Sequence, residues 1–174
     1  MYSYGYFSVI DMKFYLQRDR SADNICFSVS DETGVEKYRV ISVSTKVTKR
    51  TNLVLLNADG NTVGKIRRLP IVSTYTFVLR VKKSHITFVI VPVKNGILSY
   101  FYGNNWHING SIAAKNFTVI DVDKTVILTH RQHADHCTLE INHADNELYG
   151  IMTAVCANLI NTVEKPLQAE VGCM

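Results

Sequence analysis

The stretch LYGIMTAVCANLINTV, residues 148–163, decides the architecture. Its apolar residues fall on every side of a helix, whereas a surface helix keeps one polar face. A helix of this kind must be enclosed. It is short for a bilayer crossing, which takes about 20 predominantly apolar residues, and it carries Asn158 and Asn161. The reading is therefore a buried helix over about 146–163, with a short tail at 165–174. Asp145, Asn146 and Glu147 offer N-cap oxygens and negative charge at its positive end, and Pro166 marks its stop. Gly150, Ala154 and Ala157 recur at helical spacing and let strands approach closely.

What precedes the helix supplies the enclosure. Short alternating segments separated by Asp-, Asn- or Gly-containing turns recur along the chain, rich in Val, Ile, Thr, Tyr and Phe. Residues 27–35, 53–63 and 117–126 each read as a hairpin built on one plan. Tyr75–Val81 pairs with Ile86–Val93 in this reading, and Leu98–Tyr102 with Trp106–Ile112 across Gly103, Asn104 and Asn105. Adding Lys13–Gln17, Ile25–Ser30 and Thr138–Ile141 brings the total to about twelve strands. The expected fold is mainly β, a closed antiparallel barrel of about twelve strands wrapped around one C-terminal hydrophobic α-helix, in a single domain spanning 1–174 with no linker composition inside it.

The Asp31–Gly34 and Asn57–Gly60 turns, the run Trp106-x-Ile108-x-Gly110 followed by Phe117-x-Val119-x-Asp121, and the terminal apolar helix together resemble the LURP-one-related proteins, in a bacterial-type form. These are relatives of the tubby C-terminal domain, and the resemblance runs from about Lys13 to Val163. It implies a twelve-strand barrel around a central helix. It also implies kinship with domains that bind phosphoinositide headgroups and with phospholipid scramblases. None of the headgroup-binding residues of those domains aligns to a particular position of this chain. The chain departs from the pattern near its end, where the last hairpin reads THRQHADHC over 129–137.

Charge is the best functional clue. Between Lys37 and Lys83 stand eleven Lys and Arg against one acid, Asp59, while residues 1–36 and 84–174 each sum to −3, returning the net +4 of the whole chain. Consecutive hairpins are neighbours in a meander, so Lys46, Lys49, Arg50, Lys65, Arg67, Arg68, Arg80, Lys82 and Lys83 form the candidate anion-binding or lipid-headgroup-binding set. A solvated outer surface that discourages edge pairing accounts for the same charge. Anionic membrane lipid, phosphoinositide-like headgroups included, is the first candidate partner. Nucleic acid comes second, because single-strand binders pair cations with stacking aromatics and residues 37–83 hold only Tyr38, Tyr75 and Phe77.

His130, His133 and His136, with Cys137 and His143 nearby, raise a metal-dependent enzyme as a further alternative. Flanking a hairpin turn, residues three apart point to opposite sides of a strand, and no second ligand cluster completes a tetrahedral set. The reading is an exposed polar turn with no metal site. No Gly-x-Ser-x-Gly elbow, phosphate loop or HExxH motif is present, so no catalytic residue, no cofactor and no enzymatic activity are expected. Trp106 and the Tyr100–Tyr102 run read as core and rim. The four cysteines, Cys26, Cys137, Cys156 and Cys173, lack paired short spacing and read as thiols. With no basic region leading into an apolar run at the start, the expected location is cytoplasmic, with peripheral contact to the membrane.

Overall fold

The computed structural model describes residues 12–19, 26–43 and 52–160. Twelve strands run in order: β1 (Met12–Asp19), β2 (Cys26–Asp31), β3 (Glu36–Ser42), β4 (Asn52–Asn57), β5 (Thr62–Leu69), β6 (Tyr75–Val81), β7 (Ser84–Val93), β8 (Gly96–Tyr102), β9 (His107–Ser111), β10 (Asn116–Ile120), β11 (Val126–Gln132) and β12 (Cys137–Ile141). A 3-10 turn (Ala144–Asn146) then leads into helix α1 (Glu147–Leu159). All strands belong to one antiparallel sheet in the order β8-β7-β6-β5-β4-β3-β2-β1-β12-β11-β10-β9. The β1–β12 ladder joins the first and last strands, with Met12 opposite Ile141 and Leu16 opposite Cys137.

The sheet is nearly a closed barrel, and its seam lies between β8 and β9, which sit side by side with no ladder joining them. The expected Leu98–Tyr102 hairpin with Trp106–Ile112 is therefore corrected: β8 pairs with β7 across the two-residue turn Lys94–Asn95, and β9 pairs with β10. The cause is local. Gly103, at φ 95°, lies so close to β7 that a Cβ there would meet the His85 carbonyl oxygen at 3.1 Å. The indole of Trp106 then packs edge-on against Phe101 (5.8 Å) and Tyr149 (6.5 Å). Side-chain packing does there what ladder hydrogen bonds do elsewhere.

The three hairpins with a shared plan do share one loop. Gly34, Gly60 and Lys124 each occupy the left-handed position (φ 82°, 80° and 68°), and each donates its N–H to the carbonyl of the residue that opens the loop, Asp31, Asn57 or Asp121. Asp31 Oδ1 also accepts from the Thr33 hydroxyl (2.6 Å) and from the Thr33 and Val35 amides. These bonds, the Thr33 hydroxyl foremost, hold its carboxyl down at about 2. A bulge follows in each ladder, between Val29 and Ser30, Leu55 and Leu56, and Val119 and Ile120.

Inside the barrel, residues 150–157 of α1 are buried without a break, so the helix is enclosed as its composition requires. Phe27, Leu55, Leu79, Phe88, Leu128 and Ile141 project from the sheet into the same core. Each such side chain contributes about 1.5–3 kcal/mol by burial. A Cβ at Gly150 would lie 3.0 Å from Ile141 Cδ1, which is the close approach that the small residue permits. The helix is shorter than 146–163: it stops at Leu159, and Ile160 is already extended. Residues 161–163 and Pro166 lie outside the described residues. Capping differs too, since Asn146 makes no side-chain cap and instead donates from Nδ2 to the Asn142 carbonyl at 3.0 Å. Glu147 keeps the acidic first-turn position and accepts a short hydrogen bond from the Tyr38 hydroxyl.

Two outcomes follow for stability. Val155→Asp leaves an unpaired carboxylate at a fully buried site, costs several kcal/mol, and abolishes the cooperative melt followed by circular dichroism. Lys124→Gly relieves the left-handed strain and raises the unfolding free energy by about 0.5–1 kcal/mol, whereas Gly34→Ala lowers it by about 1 kcal/mol, as denaturant titration will measure.

Candidate functional site

Strand register assembles the candidate site. On β5 and β6 the inward positions are Gly64, Ile66, Phe77 and Leu79, all buried, so the alternating positions Lys65, Arg67 and Arg80 face outward. Lys65 is the direct cross-strand partner of Arg80, and Arg80 in turn faces His85 on β7. On the other side Val54 opposes Lys65, and Asn52 opposes Arg67. Lys65, Arg67, Arg80, Asn52 and Val54, together with Val43 and Val78, line an open groove of about 320 Å³ that combines cationic and aliphatic side chains. Like charges directly opposite one another on a sheet are destabilising. The ion pairs among the described residues are Lys37–Asp31, Arg39–Glu36 and His136–Asp135, and none includes Lys65, Arg67 or Arg80.

The groove sits in a larger electrostatic division. From Gly60 to Ile120 there is no Asp or Glu, and there are eight Lys and Arg. That stretch forms β5 to β10, and because β8 and β9 lie side by side it occupies one continuous half of the barrel. The described acids belong to the other half, to the turns that border it and to the start of α1.

The nine expected site residues do not form one patch. Lys65, Arg67 and Arg80 come together on the outer face. Arg68 has the opposite parity and stands over the Tyr75 ring at 4.8 Å, at the barrel end that carries the β5–β6 loop. Lys82 and Lys83 form the two-residue β6–β7 turn, at the opposite end. Lys46, Lys49 and Arg50 fall between β3 and β4, outside the described residues. The separation follows from the two-residue period of a strand: neighbours such as Arg67 and Arg68 cannot share a face.

The histidine-rich segment is an exposed turn at residues 133–135, as expected, but its first histidine is not part of that surface. His130 is fully buried, stacked on Phe117 at 4.7 Å. Its Nδ1 donates to the Lys115 carbonyl at 2.7 Å, which leaves Nε2 to accept from the Asn158 amide at 3.0 Å. Burial, which penalises the imidazolium, pushes its pKa down to about 4. The signal was present in the chain, because His130 shares the inward parity of Leu128. His133 and His136 stack on each other at 4.9 Å in the turn, with His136 Nδ1 2.6 Å from Asp135 Oδ1. His143 lies beyond β12 at φ 63°. Among the described residues no three His, Cys, Asp or Glu side chains gather as metal ligands.

A second cavity, of about 460 Å³, opens between β1, the β11–β12 turn and the end of α1; Arg18, Lys115, Gln132, Asp135 and Asn158 are on its walls. Cys137 at its edge donates from Sγ to Gln132 Oε1 at 3.0 Å, and burial raises its pKa, so it rests as a thiol. Cys26 and Cys156 are free as well, and Cys173 is outside the described residues. Of the aromatic run, Phe101 is buried and stacked on Phe88 at 4.5 Å, while Tyr100 and Tyr102 are exposed on the outer face of β8.

A family model described as LURP-one-related matches residues 12–159, from the first strand to the last residue of the helix. The chain belongs to the LURP-one-related family. The barrel of this LURP-one-related chain is also similar to the X-ray structure of an Arabidopsis thaliana protein, with a TM-score of 0.55 and 11% identity over 84% of this chain and 91% of that one. At that identity the likeness shows the fold alone. No curated protein matches the chain. No helix among the described residues is long and apolar enough to cross a membrane.

Two measurements check this geometry. Lys65→Glu turns a repulsive cross-strand pair into an attractive one and raises stability by about 0.5–1 kcal/mol at low salt, a gain that shrinks as salt is added. For His130, an unfolded imidazole titrates near 6.5 and the folded one at about 4, so the unfolded chain binds the extra proton between those values. Stability is therefore full above about pH 6.5 and falls toward pH 4 by on the order of 3 kcal/mol. Denaturant titrations across that window should show the loss in the wild type and not in His130→Gln.

Proposed function

We propose that this protein is a non-catalytic binding module that contacts anionic phospholipid headgroups through the groove formed by Lys65, Arg67 and Arg80. The observation that carries the reading is the Lys65–Arg80 cross-strand pair, which has no ion-pair partner among the described residues, with Arg67 beside it, on a half of the barrel that has no acid. A cross-strand repulsion kept in the free protein is relieved when a phosphate sits between the two cations. The aliphatic side chains of Val43, Val54 and Val78 suit the glycerol and upper acyl portion of a lipid. Family kinship with tubby-type domains, which take phosphoinositide headgroups, supports the same ligand class by analogy. The working location is the cytoplasmic face of a membrane, as a peripheral protein.

Nucleic acid is the second reading. It draws on Tyr100 and Tyr102, exposed on β8 two strands away from Arg80, because single-strand binders combine cations with stacking aromatics. It ranks second because no aromatic side chain among the described residues lines the groove itself.

Liposome co-sedimentation with zwitterionic, anionic and phosphoinositide-containing vesicles, at low and near-physiological salt, tests the proposal. Binding should require anionic lipid and fall with salt. It should weaken roughly a hundredfold in a Lys65→Ser/Arg67→Ser/Arg80→Ser variant, since each cation near an anionic surface contributes about 1 kcal/mol. Capture of single-stranded oligonucleotide without vesicle binding would transfer the site to the second reading, and no binding of either at low salt would leave the groove a solvated surface.

A further inference from the structure

The loop between β5 and β6 displays aliphatic side chains at a place where the barrel has no need of them. Val72 is 88% exposed and Ile71 49% exposed. The loop is shaped to present them. The Ile71 N–H donates to the Leu69 carbonyl at 2.9 Å across Pro70, whose ring fixes that bend. Ser73 takes a left-handed conformation (φ 67°) to return the chain to β6. The pair consequently stands clear of the core cluster.

Cations flank this tip. Arg67 and Arg68 lie just before it, the second seated on the Tyr75 ring at 4.8 Å. The β6–β7 register, with Tyr75 opposite Ile90, brings the end of β7 to the same end of the barrel. Lys94 is in the turn there, next to Val93, which is itself 42% exposed. No acid occurs anywhere from Gly60 to Ile120. An aliphatic point flanked by cations, with an amphipathic tyrosine behind it, matches the profile of a bilayer surface, where hydrocarbon lies beneath phosphate and aromatic side chains favour the boundary. The interfacial layer is only about 5–7 Å deep on each side, within the length of an arginine side chain.

We infer that the β5–β6 loop is a membrane-inserting tip: Ile71 and Val72 enter the acyl boundary of an anionic bilayer while Arg68 and Lys94 hold the surrounding lipid phosphates. This rests on the headgroup reading above and adds to it a bilayer as the partner, in preference to a free anion. The groove supplies recognition, and the loop supplies attachment.

The test uses the full chain, phosphoinositide-containing vesicles with and without acyl-brominated lipid, and a water-soluble inositol polyphosphate as the free headgroup. In Val72→Trp the new indole should shift to the blue on vesicle binding and be quenched by bromine. Trp106, in the β8–β9 connection at the opposite end of the barrel, should stay unquenched in the wild type and serves as the internal reference. Val72→Asp should weaken vesicle binding by about tenfold or more while leaving the thermal melt and inositol polyphosphate binding unchanged. Vesicle binding by Val72→Asp equal to wild type, or quenching of Val72→Trp no greater than that of wild type, overturns the insertion. Binding of the soluble headgroup with no vesicle binding also overturns it and leaves the groove reading standing. Vesicle binding that is lost in Val72→Asp but kept in the triple serine variant, with no affinity for the soluble headgroup, upholds the insertion and removes the groove.

Discussion

A helix that is apolar all round has no face to give to water, and the rest of this structure answers that constraint. Twelve strands close around α1 and bury residues 150–157 without a break. The middle of the helix packs on apolar side chains, and the one polar side chain there, Thr153, donates to the Tyr149 carbonyl within the helix. Among the described residues its side-chain hydrogen bonds to the barrel lie at its ends, where Tyr38 donates to Glu147, Tyr149 meets Ser84 at 2.8 Å, and the Asn158 amide meets His130. Buried polar groups hold their place only with partners, so these end contacts fix the depth and rotation of a helix that hydrophobic packing alone would position loosely.

Closure has a consequence for the outer surface. A barrel wall has one face for the core and one for everything else, so any outward run of like charge is preserved as a surface field. Here the field is divided: the described acids sit with β1–β4, β11, β12, the bordering turns and the start of α1, and the acid-free stretch Gly60–Ile120 forms the other half. The Lys65–Arg80 opposition within it costs stability in the free protein, as does Lys124 in a position where the two sister loops use glycine. The two costs differ in kind. The strain at Lys124 is local and has no outlet, whereas the repulsion at Lys65 and Arg80 can be relieved by an anion from outside.

The seam between β8 and β9 is where the barrel is least regular. It is held by Trp106, Phe101 and Tyr149 instead of by a ladder, and the neighbouring outer face of β8 carries Tyr100 and Tyr102 exposed. The histidine segment shows the reverse tendency. A string of polar residues that reads as surface contributes its first member, His130, to the core as a neutral hydrogen-bonded ring.

The sequence by itself determined the enclosed helix, the number of strands, the repeated Asp- or Asn-opened loop and the asymmetry of charge, because each is written in local periodicity or composition. Tertiary structure alone decided the rest. Which of nine basic residues share a face depends on register: Lys65 joins Arg80 through a ladder between strands, while Arg67 and Arg68, adjacent in the chain, are separated by the pleat. The absence of a β8–β9 hairpin depends on how near Gly103 comes to β7, a distance that no local pattern encodes. The end of α1 at Leu159 instead of near Pro166 coincides with Asn158, whose amide bonds both the Ala154 carbonyl and His130. A residue's periodicity tells which way it points from its own strand, and only the closed sheet tells what it meets there.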